Sequence, residues 1–473
     1  MSRFTLCPDR WYAMELFGPE FDTEVRHYSP ILATSLSAPG KGSRCFDLSF
    51  FHAAYPEGVQ DKVYTIQTIE RSNHFLLGKV VGTSRLVLLM ELSDQWLSRH
   101  FDKQALSYLR SLQIDSAPDP VDRYTACLLG GAIGDALGGA VEFISRSAIL
   151  DRFGPDGIKD YSDAYGGKGK ITDDTQMTLF TAEGLLRGRM RGVSKGITAY
   201  DHTVAAAYLR WLATQGHENR HVETILDGWL FKQRELHSQR APGTTCLSAL
   251  ADYEGEPGIA HNDSKGCGGV MRVAPVGLFC WTFKEDWGIT EVFDFGVMCA
   301  AITHGHPSGY LSGGVLASLI FLILDGAQVG DALNEASSIL VKYPGHEETL
   351  DALNQAKKLS DSELRHHEAI KELGEGWVAE EALAIAVYCV LVAESFEQGV
   401  ILAVNHDGDS DSTGAIAGNI LGALHGTRVI PGRWLESLEL REVIEAVASD
   451  LWSCRNWSSY MDDERQWDRY PGY

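Results

Sequence analysis

The chain is 473 residues long, 44% hydrophobic and 22% charged, with a formal net charge of -23 and nine cysteines. That length suits one large domain and a smaller one, and the acidic balance argues against a nucleic-acid backbone as main partner, because phosphate binding needs an excess of Lys and Arg. The cysteines form no C-x-x-C pair and no Cys/His cluster at zinc spacing, which argues against a zinc site and a disulfide framework and favours reduced, cytoplasmic surroundings.

Met1 to Phe21 mixes Asp, Arg, Glu and Pro among its apolar residues, so no signal peptide is expected there. β-Branched and aromatic runs over Ile31 to Leu36, Cys45 to Phe51, Val63 to Ile69, and Leu76 to Leu92 predict strands, the last interrupted by Gly78 and Gly82. Ser93 and Asp94 offer N-caps for a helix over 95–112, where Trp96, Leu97, Phe101, Leu106 and Leu109 form a rough stripe. A small α+β domain over 1–117 is therefore expected, ending in the proline-rich turn Asp115 to Pro120. Beyond it the texture changes to long Ala/Leu/Gly-rich helical patterns, which predicts an all-α domain over 118–473. The apolar runs Gly313 to Leu324 and Ala382 to Ala393 are shorter than the ~20 residues that span a bilayer. They read as buried helices, with no membrane partner. The polar tail, Asn456 to Tyr473, either packs or frays.

Three acidic clusters carry the chemistry. In the first, Gly130, Gly134 and Gly138 share one helix face, and Asp135 aligns with Glu142 seven residues on. Each helical glycine costs roughly 1 kcal/mol against alanine, so the repetition points to a close backbone approach. Tight helix packing with solvated acids is the plainer account. The second cluster is Thr172-Asp173-Asp174-Thr175, read either as an N-cap with acids complementing the helix dipole or as crowded oxygens suited to a hard cation. The third holds Asp407, Asp409 and Asp411 at alternate positions before Ser412, which repel one another unless a cation intervenes. An EF-hand fails, because Ser412 and Gly418 stand where it needs Gly and Glu.

Glycines 414, 418, 422 and 426 repeat the small-residue stripe, so the two stripes are expected to pack and to bring Asp135 and Glu142 towards Asp409 and Asp411. Two further elements are the loop Lys265-Gly-Cys-Gly-Gly-Val-Met-Arg-Val-Ala-Pro275, able to offer backbone amides to phosphate or to serve as a generic turn, and Thr303-His304-Gly305-His306-Pro307. His304 reads either as a turn residue or as a ring beside a ligand.

In this order, G-A-x-x-G-D-A-x-G with Glu142, T-D-D-T, G-C-G-G-V-M-R-V-A-P, H-G-H-P and D-S-D-S-T resemble the ADP-ribosylglycohydrolase family over roughly Val121 to Trp452. The resemblance implies a compact helical domain holding two magnesium ions, or manganese in their place. It assigns Thr172, Asp173, Asp174, Asp409, Asp411 and Ser412 as metal ligands, and Glu142, Asp174 and Asp409 as the catalytic acids. It implies Gly266, Cys267, Gly268, Gly269, Val270 and Met271 around the substrate's diphosphate, with Asp135 and His304 also substrate-binding. The implied activity is removal of ADP-ribose from a modified protein side chain, arginine before serine or a small-molecule conjugate. The alternative is a binding protein that neutralises an ADP-ribosyltransferase toxin by occlusion, with the N-terminal domain docking on the toxin.

Overall fold

The computed structural model describes residues 119–458 and 464–472, together with the backbone of six strands before residue 92. The chain divides into two compact units, Met1–Ala117 and Pro118–Tyr473. In the first, β1 (Trp11–Phe17), β2 (Ser29–Ser37), β3 (Cys45–His52), β4 (Val63–Arg71), β5 (Leu76–Val80) and β6 (Leu86–Glu91) pair antiparallel in sequence order and close as a barrel. The closing pair sets Tyr12 opposite Glu91 and Phe17 opposite Leu86. The helix expected over 95–112, and with it the α+β class of this unit, lies outside the described residues. So do the side chains of this unit, and with them the expected docking surface.

The second unit is helical, and its described residues contain no strand, only the isolated bridges Ala164 to Gly167 and Gly266 to Val378. Its first half runs through α1 (Pro120–Gly138), α2 (Arg146–Phe153), α3 (Asp173–Lys195), α4 (Tyr200–Thr214), α5 (Thr244–Ala251), α6 (Ala274–Thr282), α7 (Ile289–Ala301) and α8 (Pro307–Leu324). The second half continues through α9 (Val329–Leu340), α10 (Glu347–Ser360), α11 (His366–Leu373), α12 (Ala379–Val392), α13 (Phe396–Val404), α14 (Ser410–His425), α15 (Gly432–Ser437), α16 (Arg441–Ser453) and α17 (Glu464–Arg469). Both apolar runs are core helices. α8 meets the length and hydropathy of a membrane span, yet is 89% buried within the protein, and α12 buries Ala382 through Val390.

Helices α1 and α14 form the central pair, and their contact is backbone against backbone. A Cβ on Gly134 would lie 1.9 Å from the carbonyl oxygen of Gly414, and one on Gly130 2.2 Å from that of Gly418. In return, a Cβ on Gly418 would lie 2.0 Å from the Gly130 oxygen, and one on Gly422 2.0 Å from that of Ala126. The two stripes therefore pack as their spacing predicts, with one exception. Gly426 closes α14 as its cap with φ of 76°, a left-handed value suited to glycine, and so ends the helix instead of extending the stripe.

The described part of the C-terminal tail packs. Tyr470 is fully buried and donates its hydroxyl to Asp450 at 2.8 Å, its ring stacks on Trp457, and Pro471 accepts from Arg187 Nε at 2.9 Å. The seven described cysteines are all free.

Candidate functional site

The α1–α14 seam ends where the acids gather. Thr172 caps α3 by accepting from Asp174 N at 3.3 Å, and Asp409 caps α14 by accepting from Ser412 N at 3.2 Å. Two helix N-termini thus deliver Asp173, Asp174, Asp409 and Asp411 to one region, and Glu142 enters from the turn after α1. Thr172 Oγ1 donates to Asp411 Oδ2 at 3.2 Å, and Glu142 lies near enough to Asp411 to feel its charge. All five carboxylates are buried, from 2% exposed at Asp411 to 7% at Glu142, where charge is tolerated only if neutralised. The capping account and the cation account of the T-D-D-T element hold together, since the same dipoles that welcome acids fix where they point.

Burial comes first among the causes that raise these acids, and mutual repulsion follows. Glu142 is pushed up to about 11, by burial and then by Asp411, Asp409 and Asp173. Asp173, Asp174 and Asp411 are also held well above the usual carboxylate range by burial and neighbouring carboxylates. For Asp409 burial outweighs the hydrogen bonds that favour its charged form.

Cys267 and Ser412 complete the rim. Cys267 donates its thiol to Asp409 Oδ2 at 2.7 Å, and Ser412 Oγ lies 3.8 Å from Met271 Sδ. Asp409 N donates to Glu375 O at 2.8 Å, which fixes the loop ahead of α14. Gly408 lets the chain pass there. Its φ is 111°, and a Cβ would lie 2.0 Å from Glu375 O.

Other predicted residues turn inward. Asp135 is fully buried, accepts from Thr172 N at 2.9 Å and Thr175 N at 3.1 Å, and takes the Thr175 hydroxyl as well. Burial and Asp411 push it up to about 7. It braces the start of α3 and presents no open oxygen to a substrate. His304 is 1% exposed beneath the glycine loop, paired through Nδ1 with Thr303 Oγ1 at 2.8 Å. Burial, then Arg272, lowers it to about 3, so the ring is neutral. Gly266 to Met271 make a tight turn in which the amides of Gly266, Cys267, Val270 and Met271 already donate within the protein. That narrows what the loop offers a phosphate to the remaining amides. Asp407 accepts from Arg146 N at 2.8 Å, anchoring α2. Asp407→Ala is accordingly expected to cost about 1 kcal/mol in a denaturant melt and to lower activity less than about tenfold.

Two groups escaped the sequence reading. Arg272 is fully buried, donates to Gly268 O and Thr303 Oγ1, each at 2.7 Å, and lies 4.4 Å from the Tyr208 ring. It fastens the glycine loop from below. Arg240 and Glu439 form a buried ion pair around Ile171. Arg240 Nη1 donates to Ile171 O at 2.8 Å, Glu439 Oε2 accepts from Ile171 N at 3.4 Å, and Arg240 O accepts from Asp173 N at 3.3 Å. An arginine within an apolar run was the available signal for the first; the second has no local pattern.

Among the described residues no three His, Cys, Asp or Glu side chains converge as a formed ligand set. The acids here spend oxygens on nearby donors, Asp173 on Gly243 N at 3.1 Å and Asp411 on Ser412 N at 3.0 Å. Even so, Asp174 Oδ1 and Glu142 Oε2 are buried without a hydrogen-bond partner. Orphaned carboxylate oxygens among buried acids fit a hard divalent cation. A cavity of about 500 Å³ is lined by Phe153, Pro155, Asp156, Lys159 and Tyr161, none of them a predicted site residue. Chemistry, not volume, therefore locates the site.

A family model described as ADP-ribosylglycohydrolase matches residues 116–459, the helical unit almost entire. The ADP-ribosylarginine hydrolase Tri1 of Pseudomonas putida is 27% identical over 70% of this chain and 78% of its own length. The ADP-ribosyl-[dinitrogen reductase] glycohydrolase of Rhodospirillum rubrum is 25% identical over 69% of this chain and 93% of its own. Mouse ADP-ribosylhydrolase ARH3 is 26% identical over 71% and 92% respectively. A solved structure described as an ADP-ribosylglycohydrolase-related protein complex superposes with a TM-score of 0.53 at 27% identity, covering 72% of this chain and 99% of that one. With the ordered motifs gathered at one buried site and the match spanning the helical unit, the chain belongs to the ADP-ribosylglycohydrolase family, hydrolases of ADP-ribose conjugates.

Proposed function

We propose that this protein hydrolyses the glycosidic bond between ADP-ribose and a modified protein arginine, with magnesium bound among its acids. The observation that carries the reading is the delivery of four buried aspartates by two helix N-termini to one place, beside Glu142, with two of the oxygens unpartnered. Thr172, Asp173, Asp174, Asp409, Asp411 and Ser412 would hold two magnesium ions, or manganese in their place. When bound, the ions supply Lewis-acid anchoring of ribose hydroxyls and a polarised water. Arginine as leaving group is supported by the activity for which the Tri1 relatives are named and by the acidic chain, which attracts cationic substrates at long range.

Glu142 positions the attacking water and takes its proton at Oε2, the oxygen with no partner of its own. Burial, then the neighbouring acids, favours its protonated form, which the charge of a bound cation would offset. As the bond to nitrogen lengthens, positive charge grows on the sugar, and the Asp174 and Asp409 carboxylates face it. Asp135 and His304 support the walls of the site from behind. The free amides of the glycine loop meet the diphosphate.

The test is release of free ADP-ribose from matched arginine- and serine-modified proteins, with magnesium or excess chelator. Magnesium-dependent release from arginine alone supports the reading; release from serine alone moves the leaving group, and no release from either refutes it.

A pH dependence follows from the raised acids. A carboxyl held above its unfolded pKa in the metal-free fold contributes stability below about pH 4, lost as pH rises through the folded value, which is about 7 for Asp135. Cation binding demands the deprotonated forms, so magnesium affinity must climb over the same window. The melting-temperature gain from magnesium over chelator is expected to be larger at pH 8 than at pH 5.5. An equal gain at both would contradict it.

A further inference from the structure

Two large aromatic side chains stand exposed beside the acid cluster. Phe143, which follows Glu142, is 69% exposed, and Trp377 is 40% exposed. Their rings stack at 6.0 Å with an interplanar angle of 21°. Burying such a ring is ordinarily favourable, so both forgo stabilisation that a partner on their open faces would restore.

Trp377 is held by its surroundings. Trp377 O accepts from Cys267 N at 3.2 Å, and a Cβ on the preceding Gly376 would lie 3.5 Å from Asp409 Cβ. Glu375 N and Gly376 N both donate to Glu381 Oε2, at 3.0 and 3.1 Å. The Trp377 indole donates to Glu375 Oε2 at 3.1 Å, which fixes an exposed carboxylate at the ring's edge.

We propose that Phe143, Trp377 and Glu375 form the subsite for the guanidinium of the arginine that carries ADP-ribose, and thereby set the preference for an arginine-bearing polypeptide. The inference rests on the hydrolase reading above. A guanidinium is planar, stacks on aromatic faces and pairs with carboxylates, and the two exposed rings with the Glu375 carboxylate beside Trp377 offer both kinds of partner. Position separates it from the adenine. Phe143 is one residue from Glu142, which serves the reacting carbon, whereas adenine lies across a diphosphate from that carbon. Charge agrees, since Glu142 and Glu375 flank the rings.

The experiment compares KM and kcat for an ADP-ribosylated arginine peptide with the inhibition constant of free ADP-ribose, using the full chain with magnesium. Phe143→Ala, Trp377→Ala and Glu375→Gln are each expected to raise KM about tenfold, with kcat within about threefold and the ADP-ribose inhibition constant within about twofold. Trp377→Phe should recover most of the loss. The unchanged inhibition constant also certifies that each variant is folded. If ADP-ribose binding weakens in parallel, the rings hold the nucleotide, and if no KM moves they hold nothing; either result overturns the subsite alone. Wild type that releases nothing from the arginine peptide overturns the hydrolase reading and the subsite together.

Discussion

Asp409→Asn/Asp411→Asn is expected to lower ADP-ribose release at least about a thousandfold while leaving the fold intact. Asparagine keeps the oxygen that caps α14 at Ser412 N, so helix capping survives. What disappears is negative charge, at the one place where four aspartates and Glu142 meet. Without it the pocket no longer favours a divalent cation, and Glu142 no longer has a water to deprotonate. Two readouts separate this from general damage. In chelator the variant should melt no lower than wild type, because two mutually repelling buried acids have been removed. On adding magnesium wild type should gain a few degrees, as a ligand at 100 times its dissociation constant adds about 2.7 kcal/mol, and the variant almost none. A variant that still gains with magnesium would place the cation elsewhere.

Gly134→Val should cost about 3 kcal/mol or more, the upper end of overpacking. The nearest obstacle to a new Cβ is the Gly414 carbonyl oxygen at 1.9 Å, and a backbone cannot swing aside as a side chain can. Relief requires α1 and α14 to part, which also draws Glu142 away from Asp411. Activity should therefore fall well below what the unfolded fraction explains. Gly330→Ala is the control: nothing lies within 4 Å of its Cβ and its backbone is unstrained, so it should be neutral or stabilise slightly. Equal denaturant midpoints for the two variants would refute the close-contact account.

The sequence made much of this legible because the relevant physics is local or periodic. Glycine every fourth residue in two helices announced a backbone seam, and Thr172 before two aspartates announced both a cap and an acid cluster. The apolar runs in α8 and α12 read as core by length alone. What stayed hidden depends on distant partners. Asp135 looks like a free acid until the Thr172 and Thr175 amides are seen to point at it. Arg240 and Glu439 meet only through the fold, 199 residues apart. No periodicity marks Phe143 or Trp377 as exposed neighbours. Gly426 fitted the stripe by spacing, yet its position one residue past α14 made it a cap.

The central seam also governs when the molecule can come into being. Asn419 of α14 donates to Cys127 O of α1, a contact 292 residues apart, so the first helix of this unit waits for nearly the last before its glycine face is covered. At about 5–20 residues per second of synthesis, that wait is tens of seconds. Throughout it, α1 emerges with a bare backbone ridge and no mate, and the third acid cluster has yet to be translated. Newly made protein is thus inert until α14 has been translated, and a translation product interrupted before it carries half of the acid cluster and none of its activity.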